Sequence, residues 1–267
     1  MSVRNAGVLL AGLLLALLVA IAVAPQAFTG HSPTAIDPIR ALLPPGGGHW
    51  LGTDQLGRDV YTRILYGTRP SLLLGAGSTI VAVGLGTALG LLAGLGGPAA
   101  DQGLMRLTDV LLALPAILLA LLVVTALGGG TAHLVLAVGL AFVPGYARLV
   151  RAETRRVRRS GYVESAVVLG LPRWRLVAQH VLPNALTPLL ALATVGFGTA
   201  LIAASGLSFL GLGPQPPSPE WGAMLAAGRD FLQTAWWIAV FPGAAVTLTV
   251  VAVGIAGRRA RQRLGGR

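Results

Sequence analysis

From Val110 to Ala147 the chain runs 38 residues without an Asp, Glu, Lys or Arg. Such a stretch belongs in hydrocarbon. There the backbone has no water to bond, so its N–H and C=O groups must satisfy one another within a helix. A helix crosses the ~30 Å apolar core with about 20 residues. The run is therefore too long for one span, and Gly128-Gly129-Gly130 divides it into spans of roughly 110–127 and 132–147. Other uncharged runs mark further spans at roughly 7–24, 71–95, 185–210 and 236–256. Composition agrees. The chain is 54% apolar and 11% charged with a mean hydropathy of +0.75, whereas soluble domains carry about 25% charged residues. The expected fold class is all-α, a polytopic membrane protein with six transmembrane helices.

The charges exclude several chemistries. All twenty basic residues are Arg, which reads as codon bias. Without Lys there is no G-x-x-x-x-G-K-[ST] nucleotide loop, so if ATP drives this protein, another chain must bind it. With no Cys, disulfides and thiolate metal sites are excluded. His31, His49, His133 and His180 are scattered, so no metal site is expected. The net charge of +11 reads as membrane topology rather than nucleic-acid binding. With the N-terminus inside, Arg4, Arg106, eight Arg between 148 and 175 and five in the tail face the cytoplasm. Only Arg40, Arg58, Arg63, Arg69 and Arg229 face outward. Cytoplasmic loops are enriched in Lys and Arg, so both termini are expected inside. The first span resembles a signal peptide, but its apolar run exceeds the usual 7–15 residue core and Pro25 follows Ala22-Val23-Ala24. It is expected to stay as an anchor.

Residues 148–183 hold those eight Arg and only two acids, Glu153 and Glu164. Tyr162, Val163, Ala166, Val167 and Leu169 give a short helix an apolar face, which Gly170 can end in a left-handed cap. Leu171-Pro172 restarts the chain into a second helix. Its apolar face is Trp174, Leu176, Val177 and Val181, with Arg173 and Arg175 wet. On physics alone, this pair could lie on anionic headgroups or dock on a partner. On the outer side, Gly52-Thr53-Asp54-Gln55-Leu56-Gly57-Arg58-Asp59 leads toward Arg63. An Asp59–Arg63 pair at i, i+4 and interfacial Trp50, Tyr61 and Tyr66 suggest a structural cap over the outer end, with direct contact to another protein as the other reading. A proline-rich string, 214–219, leads into a helix start at Ser218-Pro219-Glu220. Glu220 and Asp230 as paired catalytic acids lack any nearby nucleophile. Asp109 is the only acid close to a span, a functional candidate if it lay in lipid, but at the cytoplasmic end it is expected to act as helix-start charge and to pair with Arg106. Gly86, Gly90 and Gly94 let helices approach closely, within this subunit or against a partner chain. Pro115, Pro144, Pro188 and Pro242 lie in or near spans and serve as static kinks or gating pivots.

Glu164-Ser165-Ala166, Gly170 and His180-Val181-Leu182-Pro183 resemble the EAA loop of bacterial ATP-binding-cassette importer permeases. Ser165 stands where that family usually has Ala. The LGTD-x-x-GRD string, Leu207 to Gly222 and Met105-Arg106-Leu107-Thr108-Asp109 resemble the peptide and nickel importer branch. The resemblance implies the type I importer permease fold, with the EAA loop as a coupling helix in which Glu164, Ser165, Ala166, Gly170 and Pro183 carry docking to the ATPase. It implies an outer-loop motif of Gly52, Thr53, Asp54, Gly57, Arg58 and Asp59. The chain divides into residues 1–69 (anchor and outer loop), 70–257 (permease core with the loop at about 148–183) and 258–267 (basic tail). Implied partners are a second homologous permease, two ATPase subunits that bind ATP and Mg, and an extracytoplasmic substrate-binding protein, in the inner membrane of a bacterium or archaeon. No catalytic residue, metal or cofactor is expected in this chain. Di- or oligopeptides are the preferred cargo and nickel or another peptide-like solute the alternative. An ion-gradient-driven transporter would need ionisable groups near the midplane, and no acid lies near the middle of any span.

Overall fold

A computed structural model describes residues 3–264. The chain is helical: α1 (Val3–Val23), α2 (Val60–Leu95), α3 (Pro98–Leu112), α4 (Ala116–Leu127), α5 (Thr131–Arg158), α6 (Gly161–Val168), α7 (Arg173–Leu176), α8 (Leu182–Phe209), α9 (Trp221–Gly228) and α10 (Trp237–Leu264). Among the described residues, four helices are long and apolar enough to cross a membrane: α2, α5, α8 over Pro188–Phe209 and α10 over Trp237–Arg259. The pair α3 and α4, bent by 94°, makes a fifth if it forms one span. The apolar part of α1, Gly7–Val23, is shorter. Large apolar side chains such as Ile80, Leu122, Ile202 and Leu248 are more than half exposed. A soluble monomer rarely leaves so much apolar surface wet, whereas lipid covers it.

The α2–α5 pair is the centre, and glycine explains how closely it packs. A side chain on Gly90 would start 2.6 Å from the Ala147 carbonyl and 2.7 Å from Val150 Cβ. On Gly94 it would meet Thr154 Cγ2 at 2.6 Å, and on Gly86 the Ala147 nitrogen at 3.1 Å. All three therefore face α5, and the stripe is consumed inside the subunit. Two clusters complete the core. Leu74 of α2 meets Val124 of α4, Leu134 and Val138 of α5 and Leu207 of α8. Toward the other side, Val60, Leu201, Trp221, Ile238 and Val246 join α2, α8, α9 and α10, with Leu18 of α1 packed on them.

The expected span at 110–127 is corrected. Val110 to Leu112 end α3, and Leu114 precedes Pro115, whose ring disfavours helical backbone in the residue before it. The chain turns there, and α4 has only 12 residues, about 18 Å at 1.5 Å each. Helix α3 buries Asp101, Met105 and Thr108, spaced i, i+4, i+7 as one helical face. Asp101 receives Arg151 (2.7 Å from Nη2) and Arg155, and Asp109 pairs with Arg148 at 2.6 Å. The expected Asp109–Arg106 pair is thus replaced by a partner on α5, because α3 lies along that helix. Pro144, Pro188 and Pro242 sit inside α5, α8 and α10, each of which continues through them.

Candidate functional site

At the basic end of the bundle α5 gives way to a helix–turn–helix. Ser160 donates to the Val157 carbonyl, and the Val163 N–H bonds to the Ser160 carbonyl at 2.9 Å, so α6 starts after one tight turn. It ends at Val168, and Gly170 follows with φ +85°, in the left-handed region that glycine enters without strain. The Pro172 carbonyl then accepts from Arg175 and Leu176 at 3.0 and 3.1 Å and opens α7. Between α7 and α8 lies a π-helical turn, Val177–Val181, in which the Leu182 N–H reaches the Val177 carbonyl. Pro183 gives the cause. It has no N–H for the carbonyl four residues back and its ring crowds that group, so the turn widens by one residue. Leu176, Val181, Val163 and Val157 close the inner side of the arms against Leu91. The open end is pinned by contacts that sequence reading missed. The Tyr162 and His180 rings lie 5.6 Å apart, and Asn184 bonds to the Tyr162 hydroxyl (3.3 Å) and the His180 carbonyl (2.6 Å). Only the fold brings residues 162 and 184 together.

The outer edge of this turn is apolar and uncovered. Val168 is 86% exposed, Leu169 87%, Trp174 66% and Tyr162 52%. The expected single apolar faces are therefore split: Val163, Leu176 and Val181 turn in, whereas Tyr162, Leu169 and Trp174 turn out. The Arg175 guanidinium stacks 5.1 Å from the Trp174 ring, within range of a cation–π contact. Ser165 is exposed and its hydroxyl donates to the Gly161 carbonyl at 2.9 Å. Gly170 and Pro183 are exposed as well. The side chains of Glu164, Ala166, Val167 and Arg173 lie outside the described residues.

At the opposite end, the 52–59 string folds around Asp54. Its carboxylate accepts from the Leu56 N–H (2.9 Å), the Arg58 N–H (3.0 Å) and Arg58 Nε (2.6 Å), and lies 3.5 Å from Arg63 Nε. Asp54, Arg58 and Arg63 are all buried. The expected Asp59–Arg63 pair does not form. Asp59 caps α2 by accepting from the Thr62 N–H at 2.7 Å, and pairs with His49 at 2.8 Å. That leaves Arg63 to Asp54 and to the Pro33 carbonyl at 3.0 Å. Thr53 closes the loop, with its hydroxyl bonded to the Arg40 carbonyl and the Leu43 N–H. Trp237 of α10 donates to the Thr53 carbonyl at 3.0 Å. Gly52 and Gly57 adopt φ +76° and +72° with backbone pressed against them. This knot of hydrogen bonds, a plug by its shape alone, is tied to α2 and α10.

Beside the plug, Glu220 is fully buried. It caps α9 by accepting from the Gly222 and Ala223 N–H groups at 2.8 and 2.9 Å. It also accepts from Ser208 of α8 and from Ser71 of α2 at 3.4 Å. Ser71 in turn accepts from the Trp221 N–H at 3.0 Å. The helix start read at 218–220 is present, and its carboxylate joins three helices. Ser71 carries no signal in the sequence, being one hydroxyl in an apolar helix. Asp230 is exposed and pairs with Arg229, away from Glu220. Among the described residues no group of His, Asp and Glu is placed to hold a metal.

Residues 86–266 match the family described as binding-protein-dependent transport system inner membrane component. The chain is 41% identical over 234 residues to the probable D,D-dipeptide transport system permease protein DdpC of Escherichia coli (strain K12), covering 88% of this chain and 78% of that protein. It is 43% identical over 255 residues to the glutathione transport system permease protein GsiD of Pectobacterium atrosepticum, covering 95% and 85%. It is 40% identical over 244 residues to the dipeptide transport system permease protein DppC of Alkalihalophilus pseudofirmus, covering 91% and 80%. With its apolar helices and the match over most of its length, the chain belongs to the family of binding-protein-dependent transport system inner membrane components, and is a multi-pass permease subunit of an ATP-binding-cassette transporter rather than an enzyme.

Proposed function

We propose that this chain is one permease of an importer that carries di- or oligopeptides inward by alternating access, powered by ATP on separate subunits. In this reading α1, α2, the α3–α4 pair, α5, α8 and α10 make six crossings, with both termini cytoplasmic. The chain works beside a second, similar permease, two ATPase subunits and an extracytoplasmic binding protein. The observation that supports coupling is the uncovered row of Tyr162, Val168, Leu169 and Trp174 on the α6–α7 turn. Such surface gains roughly 25 cal/mol for each Å² removed from water, and a cleft on an ATPase would cover it. In this reading Glu164, Ser165, Ala166, Gly170 and Pro183 carry the docking, and the backbone of Gly170 and Pro183 shapes the turn and its exit into α8. The turn joins the bundle at both ends. Helix α5 feeds α6 through one residue pair, and α7 continues through the π-turn into α8. Closing the ATPase pair would move the turn, and α5 and α8 would carry the motion to α2, on which both pack. The plug of Gly52, Thr53, Asp54, Gly57, Arg58 and Asp59 holds the outer ends of α2 and α10 as one piece.

The names of the relatives support the cargo. They are described as transporting D,D-dipeptides, glutathione and dipeptides, all short peptide-like solutes. Uptake by the complete complex, reconstituted in liposomes with its own binding protein, tests this. ATP-dependent accumulation of a labelled dipeptide is expected. Nickel accumulation without peptide uptake would overturn the cargo and leave the permease assignment in place.

A further inference from the structure

Where α2 ends, α3 begins and α5 leaves the bundle, a polar cavity of about 550 Å³ opens to the surface. A water occupies about 30 Å³ in the liquid, so this is a wet recess with room for a sizeable polar group. Arg155, Arg158 and Arg159 line it, with Asp101 and Gln102 on the α3 side. Asp101 is already engaged by Arg151 and Arg155, so its charge is matched before any ligand arrives. Arg158 spends one amino group on the Gly94 carbonyl at 2.8 Å. Among the described residues, no carboxylate pairs with Arg158 or Arg159. The start of α3 also lines the recess. Gly97 and Pro98 of that start lie on its wall, and Gly97, the N-cap, brings no side chain into it. Guanidinium groups with no carboxylate partner, Arg158 and Arg159, suit a phosphate, which takes paired hydrogen bonds from Arg.

We propose that this recess binds the phosphate headgroup of an anionic phospholipid. Free phosphate offers the same chemistry, but the position favours lipid. The exposed face of α3 carries Leu107 and Val110, 56% and 65% exposed, on a helix that bends into the bundle only after Leu112. Acyl chains along α3 would lie on the same helix whose start lines the recess. The inference rests on the topology proposed above, in which this basic end meets the cytoplasmic leaflet. An anionic lipid held there would tie α3 to α5 at the point where α5 turns toward the coupling surface.

The test uses the assembled complex, stripped of lipid in detergent and then offered mixed vesicles of phosphatidylglycerol and phosphatidylcholine. Native mass spectrometry reads which lipid is retained. Wild type is expected to keep phosphatidylglycerol, and the R158Q/R159Q double variant to hold it about tenfold more weakly, through loss of charge-assisted bonds. Gly97→Asp provides an independent arm. A Cβ at Gly97 meets nothing within 4 Å and Asp is a favoured N-cap, so α3 should be as stable or more so while the recess gains a negative charge. It too should lose the lipid. If Gly97→Asp and the double variant keep phosphatidylglycerol as well as wild type, the site is refuted. Calorimetry with inorganic phosphate separates the sources. Saturable, Arg158-dependent phosphate binding without retention of phosphatidylglycerol would overturn the lipid assignment.

Discussion

Glu220 shows how one side chain can hold several helices. It accepts from two N–H groups of α9 and from hydroxyls on α2 and α8 with no exposure to solvent. Glu220→Ala leaves those donors unpaired in the interior. Hydrogen bonds to a charged group are worth about 1.5–3 kcal/mol each. The variant is therefore expected to lose several degrees of thermal stability in the purified complex, and an unchanged melting curve would contradict the hub. Asp54 plays the matching part in the plug. Asp54→Asn would leave Arg58 and Arg63 buried without a counter-charge, which costs about 3–5 kcal/mol when one partner of a buried pair is removed. Poor accumulation in the membrane is expected, readable by immunoblot. Gly170 acts through its backbone. At φ +85° a β-branched side chain is strained whereas Asn is tolerated, so Gly170→Val should cut transport at normal protein level and Gly170→Asn should restore much of it. Equal transport by both would remove the left-handed turn from the coupling argument.

Among the elements, the α2–α5 pair has the least tolerance for added volume. Gly90 faces the Ala147 carbonyl and Val150, both on a helix that cannot retreat without disturbing α8. Gly90→Leu should separate the helices, at a cost of about 1–3 kcal/mol or more for overpacking, and lower thermal stability. Gly84, on the same helix with nothing within 4 Å, is the control. If Gly84→Leu is as harmful as Gly90→Leu, the loss comes from the membrane span as a whole and not from this seam. Helix α3 contrasts with that pair. It is bound to α5 by charge, through Asp101 and Asp109, so its docking depends on residues that hydropathy alone would treat as loop.

For the whole molecule, the proposed topology puts Ser160 and Ser218 on opposite sides of the membrane. The chain has no Cys, so Ser160→Cys and Ser218→Cys each introduce a single reactive thiol. An impermeant maleimide is expected to label Cys at 218 from outside, and at 160 only after the membrane is opened. Labelling of both positions in intact cells would refute the arrangement.

The sequence alone determined that this chain crosses a membrane several times. Uncharged runs of span length have one low-energy solution in lipid, and they are local. It also carried local turn chemistry: the left-handed Gly170, the helix start at Glu220 and the close-packing face at Gly86, Gly90 and Gly94. Local rules misjudged which charges meet. Neighbouring residues suggested Asp59 with Arg63 and Asp109 with Arg106. The fold instead paired Asp59 with His49, Arg63 with Asp54 and Asp109 with Arg148. A charge takes the best partner in space, and bends such as the one before Pro115 bring distant segments closer than the next turn of the same helix. The same holds for the α6–α7 turn. Apolar residues at helical spacing announced two amphipathic helices, but only tertiary packing decided that Val163 and Val181 turn inward while Leu169 and Trp174 remain uncovered. Once α5, α6 and α8 fill the inner side, nothing among the described residues covers them.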